Sequence, residues 1–207
     1  MSNWILLIEW VNLLLLLTLF GLSIWSVAIM IDRLKVFREI DREKEKNKKI
    51  KSYIDENNWQ KLEVFSENDS ALCTRMFSQI IKVGVEQPES VDRATKSFLT
   101  DEKEKLERGF TTLATLGSNA PFIGLFGTVL GIIQAFGALA EQQVGSSSVM
   151  SAISEALVMT AVGLFVAIPA VIAFNYFNNR LQTVLSGCES LKDYYLSKRV
   201  SGSNSGN

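Results

Sequence analysis

The chain has 207 residues, 47% of them hydrophobic, with 21 basic and 22 acidic side chains and no histidine. The missing imidazole excludes histidine proton relays, Ser/His and Cys/His nucleophiles and most zinc sites, and no GxxxxGK[ST] phosphate loop is present; an enzyme, a cofactor and a nucleic-acid partner are not expected. A net charge of -1 says little about partners, because the charges are segregated along the chain.

Three stretches carry no charged side chain: 22 residues between Glu9 and Asp32, 32 between Arg108 and Glu141, and 24 between Glu155 and Arg180. At 1.5 Å per residue the shorter two reach roughly 30 to 36 Å as helices, enough to cross a hydrocarbon core of about 30 Å. This pattern predicts an all-α polytopic membrane protein with transmembrane helices at 10–31, 109–140 and 150–179 and long cytoplasmic helical extensions. The longest run, about 48 Å if straight, is expected to tilt or to continue into water.

Orientation follows from the basic residues. Residues 1–9 carry none, whereas Arg33, Lys35, Arg38, Arg42, Lys44, Lys46, Lys48, Lys49 and Lys51 follow the first span. The positive-inside rule therefore places 1–9 outside and 32–108 in the cytoplasm. The first apolar run is too long for a signal-peptide h-region, lacks a basic n-region and has no A-x-A-like cleavage site, so it reads as a permanent anchor. The turn at 141–149 has Glu141 and no basic residue, as an external loop should, and Arg180, Lys192, Lys198 and Arg199 place the segment 180–207 inside. Cys73 and Cys188 then both face a reducing compartment, and a structural disulfide is not expected.

Between the first two spans the mixed charges of Asp32 to Lys51 suit a solvated helix that continues the first span. Leu72, Met76, Ile80 and Val83 recur at helical spacing after Asp69 or Ser70 as cap. Pro88 breaks the chain, and Ser90 is expected to cap a helix running through Val91, Phe98 and Leu106 into the second span. So few large apolar side chains make a thin core, so 32–108 reads as helical extensions packed on one another. The tail SGSNSGN (201–207) is expected to be disordered.

The second and third spans are rich in small residues. Gly124, Gly127 or Thr128, Gly131, Ala135 and Ala138 share one helical face, and Ala156, Thr160, Gly163, Ala167 and Ala170 share another. Lipid tails are as apolar as leucine, so membrane helices associate by close packing, which small faces permit; Gly127 and Gly131 form a GxxxG. Thr128 and Thr160 each have two readings: a bond to their own i-4 carbonyl, or a place on a narrow polar track. Glu155, near the external end of the third span, is either a first-turn glutamate favoured by the helix dipole, an interfacial residue, or a carboxylate at the mouth of an ion path. A threonine does not titrate. Protons crossing here would need an acid from another chain.

The strings LATLGSNAPFIGLFGTVLGI (113–132) and SEALVMTAVGLFVAIPAVIAFNYFNNRL (154–181) closely resemble the last two membrane helices of the TolQ/ExbB branch of the MotA/TolQ/ExbB proton-channel family, and GLSIWSVAIMIDRLK (21–35) resembles the end of its first. Met159 departs from the family pattern, which favours a smaller residue there; the region between spans and the tail are weak matches. The resemblance implies a bacterial inner-membrane subunit, N-terminus periplasmic and C-terminus cytoplasmic. It implies a pentamer around a dimer of a TolR/ExbD-like single-span partner with a membrane Asp, and work passed to the envelope through a TonB/TolA-like protein. Thr128 and Thr160 match the family's pore threonines, Glu155 its glutamate, and Pro121 and Pro169 its helix prolines. A gliding-motility stator of the same family and a non-conducting membrane scaffold are the alternatives.

Overall fold

The computed structural model describes residues 3–42, 44–83, 88–140 and 146–204. Most of the expected periplasmic turn, with Glu141, and the last residues of the tail lie outside these. The described residues form seven helices and no strand: α1 (Asn3–Arg42), α2 (Lys44–Asp55), α3 (Trp59–Asn68), α4 (Leu72–Val83), α5 (Pro88–Leu106), α6 (Phe110–Ala140) and α7 (Ser146–Asn204). The fold class is all-α, and α1, α6 and α7 are each long and apolar enough to cross a membrane. The chain divides into two compact units, residues 1–32 with 109–176 and residues 33–108 with 177–207.

In the first unit α6 and α7 run antiparallel, and their glycines set how closely they meet. A Cβ on Gly163 would lie 2.7 Å from the Ala120 carbonyl oxygen, and one on Gly124 would lie 2.8 Å from that of Met159. A Cβ on Gly131 would meet that of Ala156 at 2.6 Å. The two small-residue stripes thus pack on each other within one chain, backbone against backbone. Leu19 of α1 packs with Ala120, Val166 and Ala167, with Ile123 and Val162 at the edge. Phe20, Ile24, Phe122, Phe126, Phe136 and Phe165 point outward, an apolar surface suited to lipid or to further helices. Pro121 and Pro169 lie inside α6 and α7, which run on through them.

The helix expected to run from Val91 into the second span is interrupted. α5 ends at Leu106, and Gly109 has φ of 84°, a left-handed conformation that glycine adopts without steric cost. Its Cβ position is also taken, 2.8 Å from Cγ2 of Ile29. Ser90 is not the cap either, because α5 begins at Pro88, the position where a missing N–H costs least.

The second unit is a helical domain with a fuller core than composition suggests. Ile50, Ile54, Leu62, Met76, Phe77, Ile80 and Val91 are fully buried, and the C-terminal part of α7 adds Leu181, Cys188 and Tyr195. The thin-core reading missed this because it considered 32–108 without the segment that completes it. Edge-to-face contacts of Tyr195 with Trp59 (5.4 Å) and Phe77 (5.5 Å) fix that helix on the core. On α4, Leu72, Met76 and Ile80 face inward and Val83 does not. Asp69 accepts from the Ala71 amide at 2.8 Å and from Lys46 Nζ at 2.9 Å. Glu102 of α5 is buried and accepts from Arg75 (2.6 Å) and Lys105 (2.8 Å), while Lys192 of α7 pairs with Asp92. Burial pushes the Glu102 carboxyl up, but the hydrogen bonds from Arg75 and Lys105 outweigh it and hold the group below the usual carboxylate range.

Two further expectations are corrected. Cys73 and Cys188 are joined by a disulfide, with Cα atoms 5.2 Å apart. The argument from compartment ignored that α4 and α7 bring the pair, 115 residues apart in sequence, face to face. The Gly/Ser-rich tail is helical through Asn204, because it prolongs a helix already anchored on the core.

Candidate ion pathway in the three-helix unit

The two threonines stand at about the same height. Gly127 faces Met159, and Gly124 faces Met159, Thr160 and Gly163, so the antiparallel register brings Thr128 level with Thr160. Their hydroxyls differ. Thr128 is buried and its Oγ1 donates to the Leu125 carbonyl at 2.6 Å, a bond to its own helix one residue closer than the i-4 form. Thr18 on α1 makes the ordinary i-4 bond, to Leu14 at 2.7 Å. Thr160 makes neither: its Oγ1 is fully buried and has no hydrogen-bond partner. A buried hydroxyl left unpaired costs about 1–3 kcal/mol, so such groups are uncommon and call for an explanation.

Met159 occupies the groove beside Gly127, where a Cβ would lie 2.9 Å from its own Cβ. A glycine on the facing helix thus accommodates this large side chain.

Glu155 is exposed and is the tenth residue of α7, well past the first turn, so the helix-dipole account does not apply to it. It lines a cavity of about 380 Å³ together with Glu9, Asn12, Gln134 and Met159. Gln134 Nε2 donates to Glu9 Oε1 at 3.2 Å, and Asn12 Oδ1 is buried without a partner. Sequence reasoning missed these three, having read Glu9 only as the limit of a charge-free run. The available signal was the spacing of Glu9 and Asn12, three apart on one helical face. No ionisable side chain occurs in 10–31, 109–140 or 156–175, so the level of the threonines holds hydroxyls and no acid. Among the described residues, no group of three or more His, Cys, Asp or Glu is placed to hold a metal ion.

Fold and site together define a polytopic helical membrane protein whose packed three-helix unit holds two threonine hydroxyls at one level with no titratable group beside them, while Glu9 and Glu155 line one cavity. The profile of the MotA/TolQ/ExbB proton channel family matches residues 66–190, and the chain belongs to that family. Its sequence is 45% identical over 108 residues to the Tol-Pal system protein TolQ of Pseudomonas aeruginosa, covering 52% of this chain and 47% of that protein. Similarity to the biopolymer transport protein ExbB of Xanthomonas campestris pv. campestris is 51% identity over 102 residues, 47% of this chain and 39% of the relative. Against ExbB of Neisseria gonorrhoeae it is 52% over 75 residues, 36% of this chain and 34% of the relative. The matched stretch thus spans less than half the length of each of these relatives.

Proposed function

We propose that the chain is an inner-membrane proton-channel subunit that, with a single-span TolR/ExbD-like partner, converts the proton motive force into mechanical work on the cell envelope. The observation that carries this reading is the buried, unpartnered hydroxyl of Thr160 on the closely packed α6–α7 pair, at a level where the chain has no acid. A hydroxyl can accept from and donate to water or a carboxyl group but cannot hold a charge; a membrane Asp on the partner helix supplies what is missing. The chain would assemble as a pentamer around a dimer of that partner, with the outward apolar faces taken up by lipid and by neighbouring copies. Glu155 and Glu9 gather cations in the cavity at the periplasmic mouth, and Thr128 and Thr160 form the track inward.

In this arrangement residues 1–9 are periplasmic and 32–108 and 180–207 cytoplasmic, a reading supported by the basic residues after the first and third spans. Tol-Pal or TonB-type work, delivered through a TolA- or TonB-like protein, is favoured over a gliding stator by the relatives' names. A scaffold would need the same small stripes but no unpaired hydroxyl. The test is a structure of the chain purified with the single-span protein encoded beside it. Thr160 and Thr128 facing the partner's Asp is the expected result; small faces turned to lipid, or no partner capture, would refute the proposal.

A further inference from the structure

The disulfide between Cys73 and Cys188 is not used by the pathway above and stands in the unit that the proposed orientation places in the cytoplasm. Both residues are almost wholly buried, at 3% and 0% exposure. In a reducing compartment a disulfide is typically transient and redox-responsive rather than a permanent staple. The surrounding packing does not depend on it. α5 is tied to α4 by the Arg75–Glu102 pair and to α7 by Lys192–Asp92, and Phe77 of α4 packs on Tyr195 of α7. The bond adds a direct covalent link between α4 and α7 to contacts already there, and the reduced cysteines remain as small buried apolar side chains.

We infer that Cys73 and Cys188 form a reversible oxidation site, a thiol pair that closes on exposure to a low-molecular-weight disulfide and so locks α4 to α7 in the cytoplasmic unit. The inference rests on the proposed orientation. One thiolate attacks a sulfur of the small disulfide and expels one thiolate from it. The second cysteine then attacks the resulting mixed disulfide and expels the other. The small disulfide is reduced to two thiols, the pair is oxidised by two electrons, and a reduced dithiol runs the sequence backwards. Because neither sulfur is at the surface, both directions proceed through local opening and are slower than for an exposed pair. α7 is one helix from Ser146 to Asn204, so the residue locked at 188 belongs to the same helix as Thr160.

The test follows the full chain in its own membrane. Cells are quenched in acid before and after a diamide pulse, which takes two electrons and two protons from a thiol pair. Thiols are then counted by the gel shift of a maleimide-polymer adduct added in denaturant. Both thiols free in growing cells, both lost after the pulse and both recovered with dithiothreitol is the expected result. Partner-dependent proton flux should fall on oxidation and recover on reduction, with Cys73→Ala/Cys188→Ala insensitive to the oxidant. Thiols that never close, or flux indifferent to closure, would overturn the inference. So would a bond already complete in unstressed cells. In that last case an Asn57→Cys label in the double-alanine background separates two failures: labelling by an impermeant external reagent overturns the orientation, and its absence overturns only the reversible site.

Discussion

Replacing Thr160 by valine should separate function from stability. Valine keeps the branching and nearly the shape of threonine while deleting the oxygen. Because that oxygen is buried and unpaired, its loss removes a desolvation penalty of about 1–3 kcal/mol without breaking a hydrogen bond in this chain. Thr160→Val should therefore unfold in detergent no more easily than the parent, and up to about 3 kcal/mol less easily. Thr128→Val removes a bond to the Leu125 carbonyl and should cost about 0.5–1.5 kcal/mol. Flux should run the other way. Thr160→Val loses partner-dependent proton flux, Thr128→Val is impaired similarly or less, and Thr160→Ser, which restores the hydroxyl, recovers much of the activity. The assay is chemical unfolding of the purified chain alongside flux in liposomes that also contain the partner. If Thr160→Val destabilised the isolated chain by 1 kcal/mol or more, on the scale of a lost hydrogen bond, the hydroxyl has a partner here and the argument fails. Full flux in Thr160→Val together with damage in Thr160→Ser would assign the role to the methyl group.

Gly163→Ala drives a Cβ to 2.7 Å from the Ala120 carbonyl oxygen and should destabilise the chain by about 1–3 kcal/mol in the same unfolding assay, while Gly187→Ala, with open space around it, should not. Gly163→Leu and Gly131→Leu put a larger side chain between α6 and α7, and should destabilise the chain further and reduce assembly or partner capture on size-exclusion chromatography. Glu155→Gln should reduce flux partially if the residue only gathers cations and severely if it carries the proton; Glu9→Gln, from the same cavity, should be additive in the first case and silent in the second. Glu102 has a lowered folded-state pKa, so its contribution is complete above the unfolded value of about 4.3 and is lost as pH falls through the folded one. Acid unfolding followed by circular dichroism should therefore need less acid in Arg75→Gln, because removing the guanidinium leaves the buried carboxyl with a higher pKa.

The three membrane-length helices were legible because charge segregation is a property of the sequence alone, and the small stripes because 3.6-residue periodicity marks a face whatever meets it. What periodicity did not say was what the stripes meet: Gly124 and Gly163 pack on each other inside one chain. The second unit was underread for a related reason. Its core is discontinuous, and Tyr195 and Cys188 lie about 100 residues or more from the residues they contact. Gly109 was passed over because one glycine between two helical patterns does not announce a positive φ. Of the candidate site, Thr128, Thr160 and Glu155 stood out as polar residues in or beside apolar runs; Glu9, Asn12 and Gln134 acquire meaning only from the cavity they share.

In the proposed mechanism this chain supplies hydroxyls and a single-span partner supplies the acid. Decay of an imposed pH gradient, measured in liposomes holding the chain alone, the single-span partner alone, or both, tests it most directly. Flux only with both present, abolished when the partner's membrane Asp is changed to Asn, is the predicted result. Equal flux from the chain alone would contradict it, because a path through this chain would then need no acid at the level of Thr160.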